Sequence, residues 1–228
     1  MAIKALLIGS IGVLCETSNM QRHAYNAAFK ETGLDWTWEA KAFTRLVQAH
    51  PDSVARIEAH ARTTGQRIDA SAVAERKSRI FRQMLARAPV RLRPGLADSL
   101  IAARKLGLRL AFTSSEDIAE IEALLDATTP RVAMADFAYV GHSDTAQAQK
   151  PAPDVYLAAL ARLGLGASEV LAVEDTPDGA QGAIAAGVAC VGFPNIAQIG
   201  QTFPCPTVDV LSPSRIGLVA EDGFPLSA

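Results

Sequence analysis

The sequence predicts an α/β fold: a Rossmann-like three-layer core with a parallel sheet, interrupted by an all-helical insert. Two patterns carry this. Short apolar runs bounded by Gly or polar residues alternate with longer stretches whose apolar residues recur three and four apart, as in parallel sheets covered by helices. The stretch 17–88 breaks that alternation, being rich in Ala, Arg, Gln and Glu with helical periodicity and almost no β-branched runs. In chain order, Ala5 to Ile8 reads as the first buried strand, and 17–88 follows as the helical unit. Pro89 and the Arg93-Pro94-Gly95 turn close that unit, because proline disfavours helix in the residue before it. Leu96 to Leu106 is a helix and Leu108 to Phe112 the second strand. Glu116 to Leu125 and Asp154 to Leu163 are helices, Val170 to Val173 a strand, Gly179 to Ala186 a helix and Ala189 to Gly192 the last strand. Gly107, Gly164 and Gly187 fall where helix C-terminal caps belong. The expected division is 1–16 and 89–228 as the core and 17–88 as the helical cap.

With 228 residues, 49% hydrophobic and 20% charged, the chain has enough apolar content for a core plus a smaller unit. A formal net charge of -2 leaves no excess positive charge for a polyanion, so nucleic acid is not an expected partner. The Ala5-Leu6-Leu7-Ile8 run is too short to span a bilayer, and no membrane association is expected. Cys15, Cys190 and Cys205 lack CxxC spacing, which argues against a zinc site or disulfide framework and for incidental thiols in a reducing cytoplasm.

Chemistry-bearing residues gather at the ends of the expected strands, where open α/β sheets bind ligands. Ser114 and Ser115 follow LRLAF, with Thr113 the neighbouring hydroxyl at the strand end. Lys150 precedes a helix that starts near Pro153. Glu174 and Asp175 follow LAV, and Asp178 with Gly179 opens the next helix. A hydroxyl, an ammonium and a carboxylate pair at one sheet edge suit a phosphate held beside a divalent cation.

The segments LIGSIGVLCET, NAAF, GLDWTW, RLRPGL, LGLRLAFTSS, QKPAPDVYLAALARLGL and VEDTPDGAQGAIAAG resemble the haloacid dehalogenase superfamily, from about Ala2 to Phe193. The likeness is to the helical-cap subgroup, in the phosphoglycolate phosphatase and β-phosphoglucomutase branch, and most to its Calvin-cycle-associated sugar-phosphate phosphatases. The resemblance implies that Ser114 grips a phosphoryl group and that Lys150 bridges phosphate and the first-motif carboxylate. It implies Asp175 as a Mg2+ ligand, Glu174 as its companion and Asp178 as a helper at the helix start.

The family's first motif is Asp-x-Asp-Gly-Thr-Leu, whose first aspartate attacks phosphorus and whose second serves as acid and base. Aligned through Gly12, Leu14, Glu16 and Thr17, the present chain has Gly9 for the nucleophile, Ile11 for the acid/base and Val13 for the threonine. Neither Gly9 nor Ile11 can do the corresponding chemistry. Mg2+ binding is therefore expected to be weak or absent. Ser10 is expected to face away from the site, because successive strand side chains alternate, and Cys15 would need an electropositive setting to become a nucleophile.

In the cap, Ala49-His50-Pro51-Asp52-Ser53 replaces a glycine-rich, lysine-bearing turn of related phosphatases, and Gln21 stands where a family histidine is common. The Arg76, Lys77, Arg79, Arg82 and Arg87 series reads as a solvated helix face, and Lys150 with Asp175 as a candidate structural ion pair. His23, His50, His60 and His142 share no metal-ligand spacing, and Trp36 and Trp38 are expected to anchor the cap. The expected function is a pseudo-phosphatase that keeps a pocket for phosphate or a phosphorylated metabolite. The alternatives are a working Mg2+-dependent sugar-phosphate phosphatase and a non-catalytic partner of another protein.

Overall fold

The computed structural model describes residues 2–218. The chain runs β1 (Ala5–Ile8), α1 (Ile11–Leu14), α2 (Ser18–Glu31), α3 (Ala40–Ala49), α4 (Ser53–Thr64), α5 (Ala70–Leu85) and β2 (Val90–Arg91). It continues with α6 (Leu96–Lys105), β3 (Arg109–Thr113), α7 (Ile118–Ala127), β4 (Thr128–Thr129) and β5 (Tyr139–Gly141). It then forms α8 (Asp154–Leu163), β6 (Val170–Glu174), α9 (Pro177–Ala185) and β7 (Ala189–Gly192).

Five strands form a parallel sheet in the order β5-β3-β1-β6-β7. β1 lies at its centre, pairing Leu6 with Leu110 on one side and with Leu171 on the other. All four of its residues are fully buried, which explains why it reads as an unbroken apolar run. Alternation sorts them between two layers. Leu6 and Ile8 join Phe112, Val173 and residues of α6 and α7, while Ala5 and Leu7 join Ala111, Ala172 and residues of α8 and α9.

Helices α2 to α5 occupy the span between β1 and β2 and share the first of these apolar clusters. Trp38 sits between Tyr25 (4.8 Å between ring centroids) and Phe29 (4.7 Å), and Trp36 meets Phe29 edge-on, so both tryptophans anchor this helical packing. His60 packs edge-on against the same two rings.

The charge series on α5 is not uniformly solvated. Lys77 is 4% exposed and its Nζ lies 3.4 Å from Glu120 Oε1 of α7, over the rings of Tyr25 and Phe81. The helical period that turns Arg76 outward to Glu31 turns Lys77 inward, onto the core helix.

Some boundaries shift for local reasons. Asp117 caps α7 through Ala119 N–H, so the helix starts after Glu116. Thr176 caps α9 through Gly179 N–H, with Pro177 at the first turn, so this helix begins before Gly179. β5 is a three-residue edge strand, and β2 and β4 form a separate two-residue parallel pair, too short to leave a pattern in the sequence.

Candidate active site

Gly9, Ser114, Asp175 and Phe193 each follow the last residue of a parallel strand, which brings four loops to one sheet edge. There a cavity of about 420 Å³ opens between the core and the helical segment. Ser10, Ile11, Ser115, Lys150, Glu174, Asp175 and Asp178 line it from the core side, and His50 and Arg56 from the helical side. Ser114 is 1% exposed and does not line it: its Oγ accepts Glu116 N–H, while Ser115 reaches the cavity.

Ser10 faces the cavity, against the expectation from strand alternation. β1 ends at Ile8, so the pleat does not extend to residue 10. Ser10 instead caps α1, accepting from Gly12 and Val13 N–H while its hydroxyl donates to Asp175 Oδ1 at 2.5 Å. Asp175 Oδ2 accepts from Asn195 Nδ2 at 2.6 Å, so both carboxylate oxygens have a neutral donor.

Lys150 pairs with Glu174, not with Asp175: its Nζ lies 2.6 Å from Glu174 Oε1 and donates to Gly9 C=O at 2.6 Å. Glu174, the last residue of β6, is fully buried, and the Tyr156 hydroxyl donates to the same Oε1. Oε2 has no hydrogen-bond partner among the described residues. A Cβ at Gly9 or at Gly179 would overlap this carboxylate. The Glu174 side chain thus occupies the room that the missing Gly9 side chain leaves. Burial is the largest influence on Glu174 and outweighs Lys150, pushing its carboxyl up to about 7.

That shift predicts a pH-dependent stability. An acid whose folded pKa lies above its unfolded value favours folding most below the unfolded value and loses that contribution as pH rises through the folded one. Glu174 should therefore favour the fold more at pH 4.5 than at pH 8, by on the order of 3 kcal/mol, with the loss spread between about pH 4.5 and 7. Glu116, raised first by burial and then by Glu120, adds a slope of the same sign. Urea denaturation across this range should give a shallower profile for Glu174→Gln than for the wild type. Superimposable profiles would contradict the assignment.

Sequence reasoning missed several supporting groups. Arg93 stacks over the Phe193 ring at 3.4 Å and donates to the carbonyls of Gly12, Phe193 and Pro194, fastening the α1 turn to the loop after β7. Arg56 is 7% exposed and donates to His50 C=O, Pro51 C=O and Tyr25 Oη, fixing the loop between α3 and α4 at the cavity. Tyr156 and Asn195 were equally hidden. The RLRPG turn and the FPN run after the last strand were the local signals for Arg93 and Asn195, but their partners lie far away in sequence.

Burial pushes Cys15 up to about 12, against the nearby positive charge of Arg93, so it stays a thiol. His23 contacts Arg22, and among the described residues no group of three or more His, Cys, Asp or Glu is placed to hold a metal ion.

A parallel sheet covered by helices on both faces, with a lysine and an acidic loop at its carboxyl edge, is an α/β architecture that takes its ligand where the strands end. The chain belongs to the haloacid dehalogenase-like hydrolases, whose family model matches residues 3–187. It is 35% identical over 210 residues to Protein CbbY of Cupriavidus necator, covering 88% of this chain and 82% of that protein. Among solved structures it is similar to CbbY from Rhodobacter sphaeroides in complex with phosphate, at 28% identity and TM-score 0.83, covering 91% of this chain and 94% of that one. A mutant of the same protein, in complex with xylulose-(1,5)bisphosphate, matches at TM-score 0.84 and 28% identity, covering 98% of this chain and 100% of that one. Among the described residues no helix is long and apolar enough to cross a membrane.

Proposed function

We propose that this chain is a pseudo-phosphatase: a haloacid dehalogenase-like core with residues 17–88 as its cap, without the two first-motif carboxylates, that holds phosphate or a phosphorylated metabolite in the cavity. The observation that carries the reading is the Glu174 carboxylate lying in the space beside Gly9 and engaging Lys150. An attacking carboxylate at position 9 would have to share that space.

The family generally uses Mg2+, but the oxygen set here fits it poorly. A hard cation of that size asks for near-octahedral oxygen coordination. Asp175 is engaged by Ser10 and Asn195, Glu174 by Lys150 and Tyr156, and Ile11 offers no side-chain oxygen. No step is assigned to a metal.

For an anion the prospects are better than a count of acidic side chains suggests. Glu174 is paired with Lys150, Asp175 accepts two hydrogen bonds and has Arg93 nearby, and Asp52 and Glu16 accept backbone N–H groups. The Ser115 hydroxyl and Lys150 are the groups at hand for phosphoryl oxygens, with the Ser114 hydroxyl behind them. The relative crystallised with phosphate and, as a mutant, with a sugar bisphosphate supports the ligand class.

Calorimetric titration with inorganic phosphate and sugar phosphates at millimolar concentration should show uptake that Lys150→Met weakens by about tenfold or more. Heat of dilution alone from the wild type would remove the proposal. The second reading, a working sugar-phosphate phosphatase in the cytoplasm, draws on the same crystallised relative and is decided by turnover.

A further inference from the structure

Cys190 and Cys205 look unrelated in the sequence, yet the fold sets them side by side. The segment after the last loop returns along the free edge of β7: Gly192 N–H donates to Pro206 C=O and Val208 N–H to Gly192 C=O, both at 2.8 Å, which pairs Gly192 with Thr207 in parallel. Cys190 and Cys205 each lie two residues before this isolated bridge, which brings the two side chains into one neighbourhood. Both pack in the apolar layer beneath α8 and α9, close enough for each thiol to influence the other. At the bridge itself the two segments run at strand spacing, about 4.8 Å, which is within the Cα separation that a disulfide spans.

We propose that Cys190 and Cys205 are an oxidisable dithiol, and that a small-molecule disulfide converts them to a cross-link bracing the loop that supports the active-site cavity. Cys205 is the accessible member, half-buried where Cys190 is buried. Its sulfur attacks the external disulfide, losing a proton and expelling one thiol. Cys190 then loses its proton and attacks the mixed disulfide at the Cys205 sulfur, expelling the second external thiol. Two protein thiols are oxidised to one disulfide while one external disulfide is reduced to two thiols. Burial pushes both cysteines upward in pKa, so the exchange is slow at neutral pH and faster in mild alkali.

The segment enclosed by the cross-link is the one that holds the site together. It contains the Phe193 and Pro194 carbonyls that accept Arg93, Asn195 bound to Asp175, Ile196 bound to Glu16, and Ala197, whose carbonyl accepts Gln48 from α3. Closing it covalently restrains core and cap contacts together, whether or not the cavity binds phosphate.

The sequence makes the test direct, because no Lys or Arg lies between Arg162 and Arg215, so trypsin releases both cysteines in one peptide, apart from Cys15. The full chain is equilibrated with glutathione disulfide and reduced glutathione at graded ratios, alkylated and digested. The expected product is the 163–215 peptide lacking two hydrogens, with no glutathione attached, and Cys205→Ser abolishes it. The oxidised chain should also melt higher by about 5 °C. A peptide that stays fully alkylated, accumulates a glutathione adduct at Cys205, or links to Cys15 overturns the assignment. An unchanged melting temperature in the linked chain overturns the brace.

Discussion

With Mg2+ present, the wild-type protein is expected to release no phosphate above background from a panel of sugar phosphates, and Gly9→Asp/Ile11→Asp to release it at least about 10²-fold faster. The physical ground is specific. Gly9 has no side chain to form an acyl phosphate, and Ile11 is an apolar side chain, 5% exposed, at the start of α1. The double substitution supplies a nucleophile and a proton carrier beside a retained lysine and acidic loop. It also forces a rearrangement, because a Cβ at position 9 overlaps the Glu174 carboxylate, which must swing away from its present place. The variant should therefore be less stable than the wild type at neutral pH, where the two added carboxylates crowd Glu174 and Asp175, and closer to it in acid. Phosphate release by the wild type, with a contaminating phosphatase excluded by Lys150→Met carried through the same purification, would defeat the pseudo-phosphatase reading. Silence from both proteins would mean that restoring the two carboxylates is not enough for turnover, and would favour a non-catalytic role.

Replacing Lys77 by Met is expected to destabilise the fold by about 3–5 kcal/mol, the largest effect foreseen for a residue outside the site. Lys77 and Glu120 have side chains only 6% and 1% exposed, and Glu120 Oε2 has no partner among the described residues. Removing the lysine alone leaves a carboxylate buried between α5 and α7 without its cation. The pair itself is a different matter: desolvation offsets most of its Coulombic attraction, so Lys77→Met/Glu120→Leu should recover most of the loss. Urea denaturation of the four members of the cycle measures both quantities. Equal losses for the single and double variants would show that packing of the lysine stem against Tyr25 and Phe81, and not charge pairing, sets the effect.

Much of the fold was legible because each layer leaves a period in the sequence. Ala5–Ile8 and Val170–Val173 are buried on both faces and read as unbroken apolar runs, and the helices carry apolar residues at helical spacing. Lys150, Glu174, Asp175 and Asp178 were legible as a group because parallel strands deliver their carboxyl ends to one edge. Ser10 was misread because alternation holds only while the chain stays in the sheet, and β1 stops two residues earlier. Lys77 was misread because a charged residue one position from an exposed arginine carries no mark of which way it turns.

The sequence by itself determined the layered α/β architecture, the helical segment between its first strands, and the absence of acidic side chains at positions 9 and 11. These depend on local periodicity and on residue identity, which neighbours along the chain are enough to express. Only the tertiary structure decided that Lys150 engages Glu174 and not Asp175, that Glu174 fills the room beside Gly9, and that Cys190 meets Cys205. Such pairings join residues far apart in the chain, and they follow from strand order, register and competition for buried space.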